Sequence, residues 1–169
     1  MAFDAELLRA AEEIVRLYAG LGLKLTAAES CTGGLLCGLL TEIPGSSAVV
    51  ERGFVVYSNA AKVELCGVPA MLVERHGAVS AETARALAQG ALAHARAHVA
   101  VAITGVAGPG GGTAEKPVGL VHFACARANG PLTHVEKRYG DLSRAHVRRA
   151  SLAQALAMLR DAAEPHAFA

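Results

Sequence analysis

Ser30 sits in the run Ala28-Glu29-Ser30-Cys31-Thr32-Gly33-Gly34, where an apolar stretch gives way to small residues. A serine hydroxyl is a weak nucleophile and needs a base beside it. Here the pattern reads as a strand turning into a helix. Backbone N–H groups of Cys31, Thr32 and Gly33 at such a helix start could hold an oxyanion or a phosphate. Gly33 and Gly34 permit close approach of a ligand or a neighbouring element. Taken alone, Ser30 reads equally as a helix cap and as a nucleophile. A second loop, Tyr57-Ser58-Asn59-Ala60-Ala61-Lys62, leaves another apparent strand end. Lys62 falls in the first turn of the following helix, where it could lose its proton and act as a base, with Tyr57 polarising or relaying. The same residues also read as a solvated lysine and a strand-end aromatic.

A third loop runs from Gly105 to Gly112 after Thr104. It lacks the Gly-Lys-Ser/Thr ending of a nucleoside triphosphate loop and the spacing of a dinucleotide fingerprint. Its N–H groups could form an anion nest, or the loop could be a lid or a bare turn. His94 and His98 stand four apart, a metal-ligand spacing, with no third ligand at a recognisable distance in sequence. Cys31 is a rival nucleophile or a packing thiol.

The elements that must position these groups follow from periodicity. Residues 4–19 carry Leu7, Leu8, Ala11, Ile14, Val15 and Tyr18 at helical spacing, ended by Gly20 and Gly22. Residues 23–28 and 48–57 read as strands, 32–40 as a small-residue helix, and 59–66 as a helix capped by Ser58. A short helix fits 69–76. A long one opens at Ser80 and reaches about Ala97. Val99 to Ile103 is wholly apolar, as expected of a strand covered on both faces. Residues 119–127 and 132–139 alternate around Asn129-Gly130, a hairpin signal. Ser143 caps a last helix with Val147, Leu152, Leu156 and Leu159 facing inward. This order predicts an α/β fold. One three-layer α/β/α domain spans residues 1–169, with a mostly parallel sheet and an antiparallel edge hairpin. In such a sheet ligands bind beyond the carboxyl ends of the strands, where the three loops lie.

The chain has 169 residues, 53% hydrophobic and 18% charged, with a net charge of +1. This balance argues against disorder and gives no electrostatic pull toward nucleic acid or an anionic membrane. The apolar runs are too short to span a bilayer. The acidic start Met1-Ala2-Phe3-Asp4-Ala5-Glu6 has no basic flank, so no signal peptide is expected. Four cysteines without a Cys-x-x-Cys pair fit reduced thiols in a cytoplasm.

Five ordered motifs resemble the CinA carboxy-terminal domain family, the nicotinamide-nucleotide amidases. They are Ala28 to Gly34, Pro44-Gly45-Ser46-Ser47, Gly53 to Lys62, His76-Gly77-Ala78-Val79-Ser80, and Thr104 to Pro109 continued through Glu115-Lys116-Pro117-Val118-Gly119. The resemblance spans about residues 5–160. It implies hydrolysis of the carboxamide of nicotinamide mononucleotide to nicotinic acid mononucleotide and ammonia, in pyridine-nucleotide recycling. It also implies no metal or cofactor, and a homodimer. Family roles fall on Ser30 as nucleophile, with Lys62 and Tyr57 assisting, and on Ser47 and Thr104 near the ligand. Larger CinA proteins carry a further amino-terminal domain; this chain resembles the carboxy-terminal unit alone. The family's Gly-Asp-Arg before the last helix departs here: Leu142-Ser143 follow Gly140-Asp141, and the ligand-binding arginine becomes Arg144, two positions late. The alternative function is a nucleotide-binding or regulatory module linked to competence or DNA damage.

Overall fold

The computed structural model describes residues 3–140 and 142–164. Its centre is a five-stranded sheet: β1 Leu25–Glu29, β2 Val50–Val55, β3 Val99–Gly105, β4 Leu120–Arg127 and β5 Leu132–Arg138. The strand order is β2-β1-β3-β4-β5. β1 runs parallel to both β2 and β3. The hairpin β4–β5 adds antiparallel at the β3 side, as expected for the edge. Asn129 takes a left-handed φ of 55° in its turn.

Among the described residues six α-helices cover the two faces: α1 Ala5–Leu21, α2 Leu35–Thr41, α3 Asn59–Cys66, α4 Ala70–His76, α5 Ala81–Ala93 and α6 Arg144–Ala163. Side-chain alternation in β3 decides which helices go where. Val99, Val101 and Ile103 face the cluster built by α1, α2 and α6. Ala100 and Ala102 face α3, α4 and α5. The second face is alanine against alanine, since α5 presents Ala84, Ala88 and Ala91. Backbones therefore approach closely there. A Cβ on Gly90 of α5 would lie 1.8 Å from the Cys66 carbonyl oxygen, so only glycine fits.

Two boundaries differ from expectation. Helix α2 starts at Leu35 rather than Thr32, because Gly33 and Gly34 take left-handed φ values of 61° and 93° and make residues 30–34 a turn. Helix α5 stops at Ala93 rather than near Ala97. The chain must then turn to enter β3, and the N–H groups of His98 and Val99 bond the Lys24 carbonyl. His94 and His98 thus do not share a helix. The His94 Nδ1–H donates to the Gly90 carbonyl, and His98 Nδ1 accepts the Lys24 N–H. Among the described residues no group of three or more His, Cys, Asp or Glu could hold a metal ion. No described helix is long and apolar enough to cross a membrane.

Candidate active site

The sheet topology makes a crevice at the carboxyl end of β1. From β1 the chain passes through α2 on one face to β2. From β2 it passes through α3, α4 and α5 on the other face to β3, on the opposite side of β1. The chain reverses direction there, and such a switch point is where open α/β sheets bind ligands. Ser30 is the first residue beyond β1. Its N–H donates to the Ile103 carbonyl at 2.9 Å, which fixes it to β3.

Lys62 arrives from the other side. Ser58 caps α3 by accepting the Ala61 N–H, and that places Lys62 one turn in, aimed back at β1. Its side chain is 1% exposed. Nζ lies 3.1 Å from Ser30 Oγ, 2.8 Å from the Val56 carbonyl and 3.2 Å from the Tyr57 carbonyl. Among the described residues no carboxylate forms an ion pair with it. Burial lowers the Lys62 pKa, because the charged form loses its hydration. Nζ donates to the two nearer carbonyls and to Ser30 Oγ; once neutral, the amine can keep both carbonyl bonds and turn its lone pair to the Ser30 hydroxyl. Val56 also donates its N–H to the Glu29 carbonyl, so β1 and the lysine's backbone acceptors form one connected unit.

Tyr57 contributes differently from expectation. Its carbonyl touches Lys62, while its phenol, on a side chain in a residue 62% exposed, meets the Arg144 guanidinium at 3.3 Å. The phenol is therefore a rim group and not a relay between Lys62 and Ser30. Cys31 is buried, and its thiol is pushed up to about 11, chiefly by that burial. A thiol so disposed is a poor rival to Ser30 at neutral pH.

The anion donors are also redistributed. Gly33 was expected to offer its N–H to a ligand, but it donates to the Ser30 carbonyl at 3.1 Å and closes the turn. The start of α2 is occupied by a residue that the sequence reading passed over. The Glu29 carboxylate, 1% exposed, accepts the N–H groups of Gly34, Leu36 and Cys37 at 2.9–3.1 Å. A carboxylate at the positive end of a helix satisfies its orphan donors and opposes its dipole. The helix terminus is therefore closed to an outside anion. Among the described residues no backbone oxygen accepts the N–H groups of Cys31 and Thr32, and the Cys31 N–H faces its own thiol.

Thr104, buried at the end of β3, donates from Oγ1 to the Ala78 carbonyl at 2.7 Å. It holds the segment after α4 against the crevice. Gly105 is required by close packing: a Cβ there would meet the Leu120 carbonyl at 2.7 Å. The loop beyond it is braced by Arg144, the first residue of α6. Arg144 Nη1 donates to the Gly108 carbonyl at 2.9 Å while Nη2 reaches Tyr57. The late arginine thus points into the crevice, because Ser143 caps α6 by accepting the His146 N–H and sets its first turn there. Asp141, part of the same motif, lies outside the described residues. One turn further, Arg148 donates to the Thr32 carbonyl at 2.9 Å. Its spacing of four from Arg144 was the available signal.

Ser47 is not brought to this site. It lies in a short 3-10 turn, Ser46–Ala48, that leads into the start of β2. Val50 pairs with Leu25 at the amino end of β1, whereas Val55 pairs with Glu29 next to Ser30. At about 3.3 Å per residue the length of β2 separates Ser47 from Ser30.

The model of the CinA C-terminal domain matches residues 8–163. A putative competence-damage inducible protein of Symbiobacterium thermophilum is 49% identical over 156 residues, 88% of this chain and 37% of that protein. A CinA-like protein of Anaeromyxobacter dehalogenans is 50% identical over 147 residues, 87% of this chain and 36% of its own. The chain spans about a third of the length of these curated relatives. The crystal structure of the competence/damage inducible protein CihA from Agrobacterium tumefaciens superposes with a TM-score of 0.95 at 51% identity, covering 97% of this chain and 99% of that one. That of the competence damage-inducible protein A from Klebsiella pneumoniae gives 0.87 at 32% identity, covering 92% and 95%.

Proposed function

The chain belongs to the CinA C-terminal domain family, and from that premise we propose that it hydrolyses the carboxamide of nicotinamide mononucleotide to nicotinic acid mononucleotide and ammonia. The observation that carries this reading is the buried contact of 3.1 Å between Ser30 Oγ and Lys62 Nζ, a lysine that pairs with no carboxylate among the described residues. Lys62, neutral, takes the Ser30 proton. The alkoxide attacks the amide carbonyl carbon, and the N–H groups of Cys31 and Thr32 hold the oxygen as its charge develops. Each such donor is worth about 3–4 kcal/mol. Lys62 then gives its proton to the departing nitrogen, and the C–N bond breaks to release ammonia. Water, deprotonated by the same lysine, cleaves the acyl ester and restores the Ser30 hydroxyl. The phosphate falls to Arg144 and the backbone of the Gly105–Gly112 loop. The setting is a reduced cytoplasm, consistent with four free cysteines, and the working form is a homodimer of this single domain.

Relatives are named for competence and damage induction, and a second reading is a regulatory module that binds a nucleotide without consuming it. Ammonia release separates the two. Purified protein is incubated with nicotinamide mononucleotide, nicotinamide riboside and nicotinamide. Turnover of the mononucleotide, abolished in folded Ser30→Ala protein, is expected. Tight binding without ammonia from any of the three would favour the module, and an undiminished rate in Ser30→Ala would sink the serine mechanism.

A further inference from the structure

No step of the proposed hydrolysis uses Arg148, yet its guanidinium lies against the turn that carries Ser30. It belongs to α6, 116 residues beyond Thr32, and Nη2 donates to the Thr32 carbonyl at 2.9 Å. The same nitrogen would lie 3.7 Å from a Cβ on Gly33, so the head group rests on the Thr32–Gly33 peptide. Nε is buried and, among the described residues, has no hydrogen-bond partner. No carboxylate among them pairs with the charge either. Thr32 Oγ1, on the residue that Arg148 grips, is likewise buried without a partner. Such groups reduce stability, since each has given up water and gained no bond in return. Polar groups kept at that cost call for a role beyond packing.

The hydrogen bonds of the turn run from Arg148 toward the nucleophile. The Thr32 carbonyl and the Gly33 N–H belong to one peptide group. That N–H donates to the Ser30 carbonyl at 3.1 Å. The Ser30 carbonyl shares the next peptide group with the Cys31 N–H, the first backbone donor after the nucleophile. The guanidinium and the two peptides therefore stand in series. A carbonyl that accepts from a cation draws electron density across its amide. The N–H of that amide becomes a stronger donor, by about 10–30% per bond. The turn is fixed at both ends as well. The Ser30 N–H donates to the Ile103 carbonyl at 2.9 Å, and the Leu35 N–H gives the Thr32 carbonyl a second bond at 3.3 Å. At rest the Cys31 N–H faces its own thiol, a weak acceptor that a developing oxyanion would displace.

We propose that Arg148 is a positioning residue for the reaction: its charge, passed through two peptide groups, strengthens and aims the Cys31 N–H at the oxygen that becomes negative when Ser30 attacks. The kinetic part of this rests on the hydrolysis proposed above; the polarised turn does not. Arg144, one turn earlier on the same helix, faces the loops beyond β2 and β3, whereas Arg148 faces the turn beyond β1. The two arginines divide the work. Arg144 receives the substrate at the rim, and Arg148 conditions the reacting centre without touching the substrate. The effect of Arg148 therefore falls on kcat.

Arg148→Met fills similar space without charge or donor, and Arg148→Lys keeps the charge. Amide resonances of Cys31 and Gly33 are recorded in the full chain without substrate. Beside them are measured kcat and KM for nicotinamide mononucleotide, and the urea midpoint. In Arg148→Met both amide protons should move upfield. At nearly constant KM, kcat should fall roughly 10-fold, between the few-fold effect of weaker polarisation and the 10²-fold effect of a misplaced group. Arg148→Lys should recover most of both changes. The urea midpoint of Arg148→Met should hold or rise, because a buried unpaired donor is removed. Unmoved Cys31 and Gly33 amides would overturn the proposal whether or not the protein turns over any amide. A raised KM with kcat preserved would overturn it by making Arg148 a ligand contact. A lower urea midpoint with kcat unchanged would reduce Arg148 to a structural clamp and overturn it too. If the unaltered protein releases no ammonia, the hydrolysis fails, and the amide shifts alone decide whether Arg148 polarises the turn.

Discussion

A lysine acts as a base only in its neutral form, so the pH dependence of turnover should report Lys62 directly. Burial lowers its pKa from 10.5, and no carboxylate among the described residues pairs with it to reverse that. For the proposed hydrolysis, kcat/KM should rise with pH through this lowered value and reach a plateau before the pH at which an exposed lysine titrates. Lys62→Met fills similar space without a basic nitrogen. It should cut kcat by about 10²–10⁴-fold, the usual range for losing a general base, and remove that limb of the profile. Lost binding with kcat preserved at saturation would instead make Lys62 a ligand contact. Ser30 and Lys62 were legible as residue types at two strand ends. The motif resemblance paired them; the residues alone left the pairing open, because it depends on which strands neighbour β1. The fate of the Tyr57 phenol was legible even less. Only the fold reveals that its backbone faces the lysine while its ring turns to Arg144.

Glu29 shows how an element can depend on a residue outside it. Helix α2 has seven residues and no side-chain cap of its own at Gly34. The Glu29 carboxylate, from the end of β1, supplies what that start lacks by accepting three N–H groups. Hydrogen bonds to a charged acceptor contribute about 1.5–3 kcal/mol each. Glu29→Ala should therefore destabilise the protein by about 3 kcal/mol or more, read from the urea midpoint. A loss under about 1 kcal/mol would show that water replaces the carboxylate and that Glu29 does not hold the turn. The same contacts explain the misjudged start of α2. Small residues from Thr32 onward look helical in one dimension, yet paired left-handed glycines delay the helix until the carboxylate can reach its donors. The end of α5 was hidden for a related reason, since the pairing of His98 and Val99 with Lys24 is a tertiary demand. By contrast, the alternation in β3 and the Asn129-Gly130 turn gave the layers and the edge hairpin, because both are local.

At the scale of the molecule, the crevice needs its last helix. Ser30, Lys62 and Thr104 lie on elements formed before residue 106, but the rim is completed by Arg144, which arrives 114 residues after Ser30 along the chain. It spans the loops that follow β2 and β3, bonding the Tyr57 phenol and the Gly108 carbonyl. The motif around it is displaced by two residues, and the cap at Ser143 restores the direction. Among the described residues neither Arg144 nor Arg148 forms an ion pair, and in the proposed hydrolysis the positive charge of Arg144 meets the substrate phosphate. Arg144→Ala should then raise KM for nicotinamide mononucleotide by about 10–100-fold, the equivalent of about 1.5–3 kcal/mol of charge-assisted hydrogen bonding. It should leave kcat nearly intact, because Ser30 and Lys62 are held by β1, β3 and α3 without it. The KM for nicotinamide riboside, which has no phosphate, should barely move. A fall in kcat at unchanged KM for both compounds would mean that Arg144 serves by closing the loop over the reacting amide rather than by receiving the phosphate.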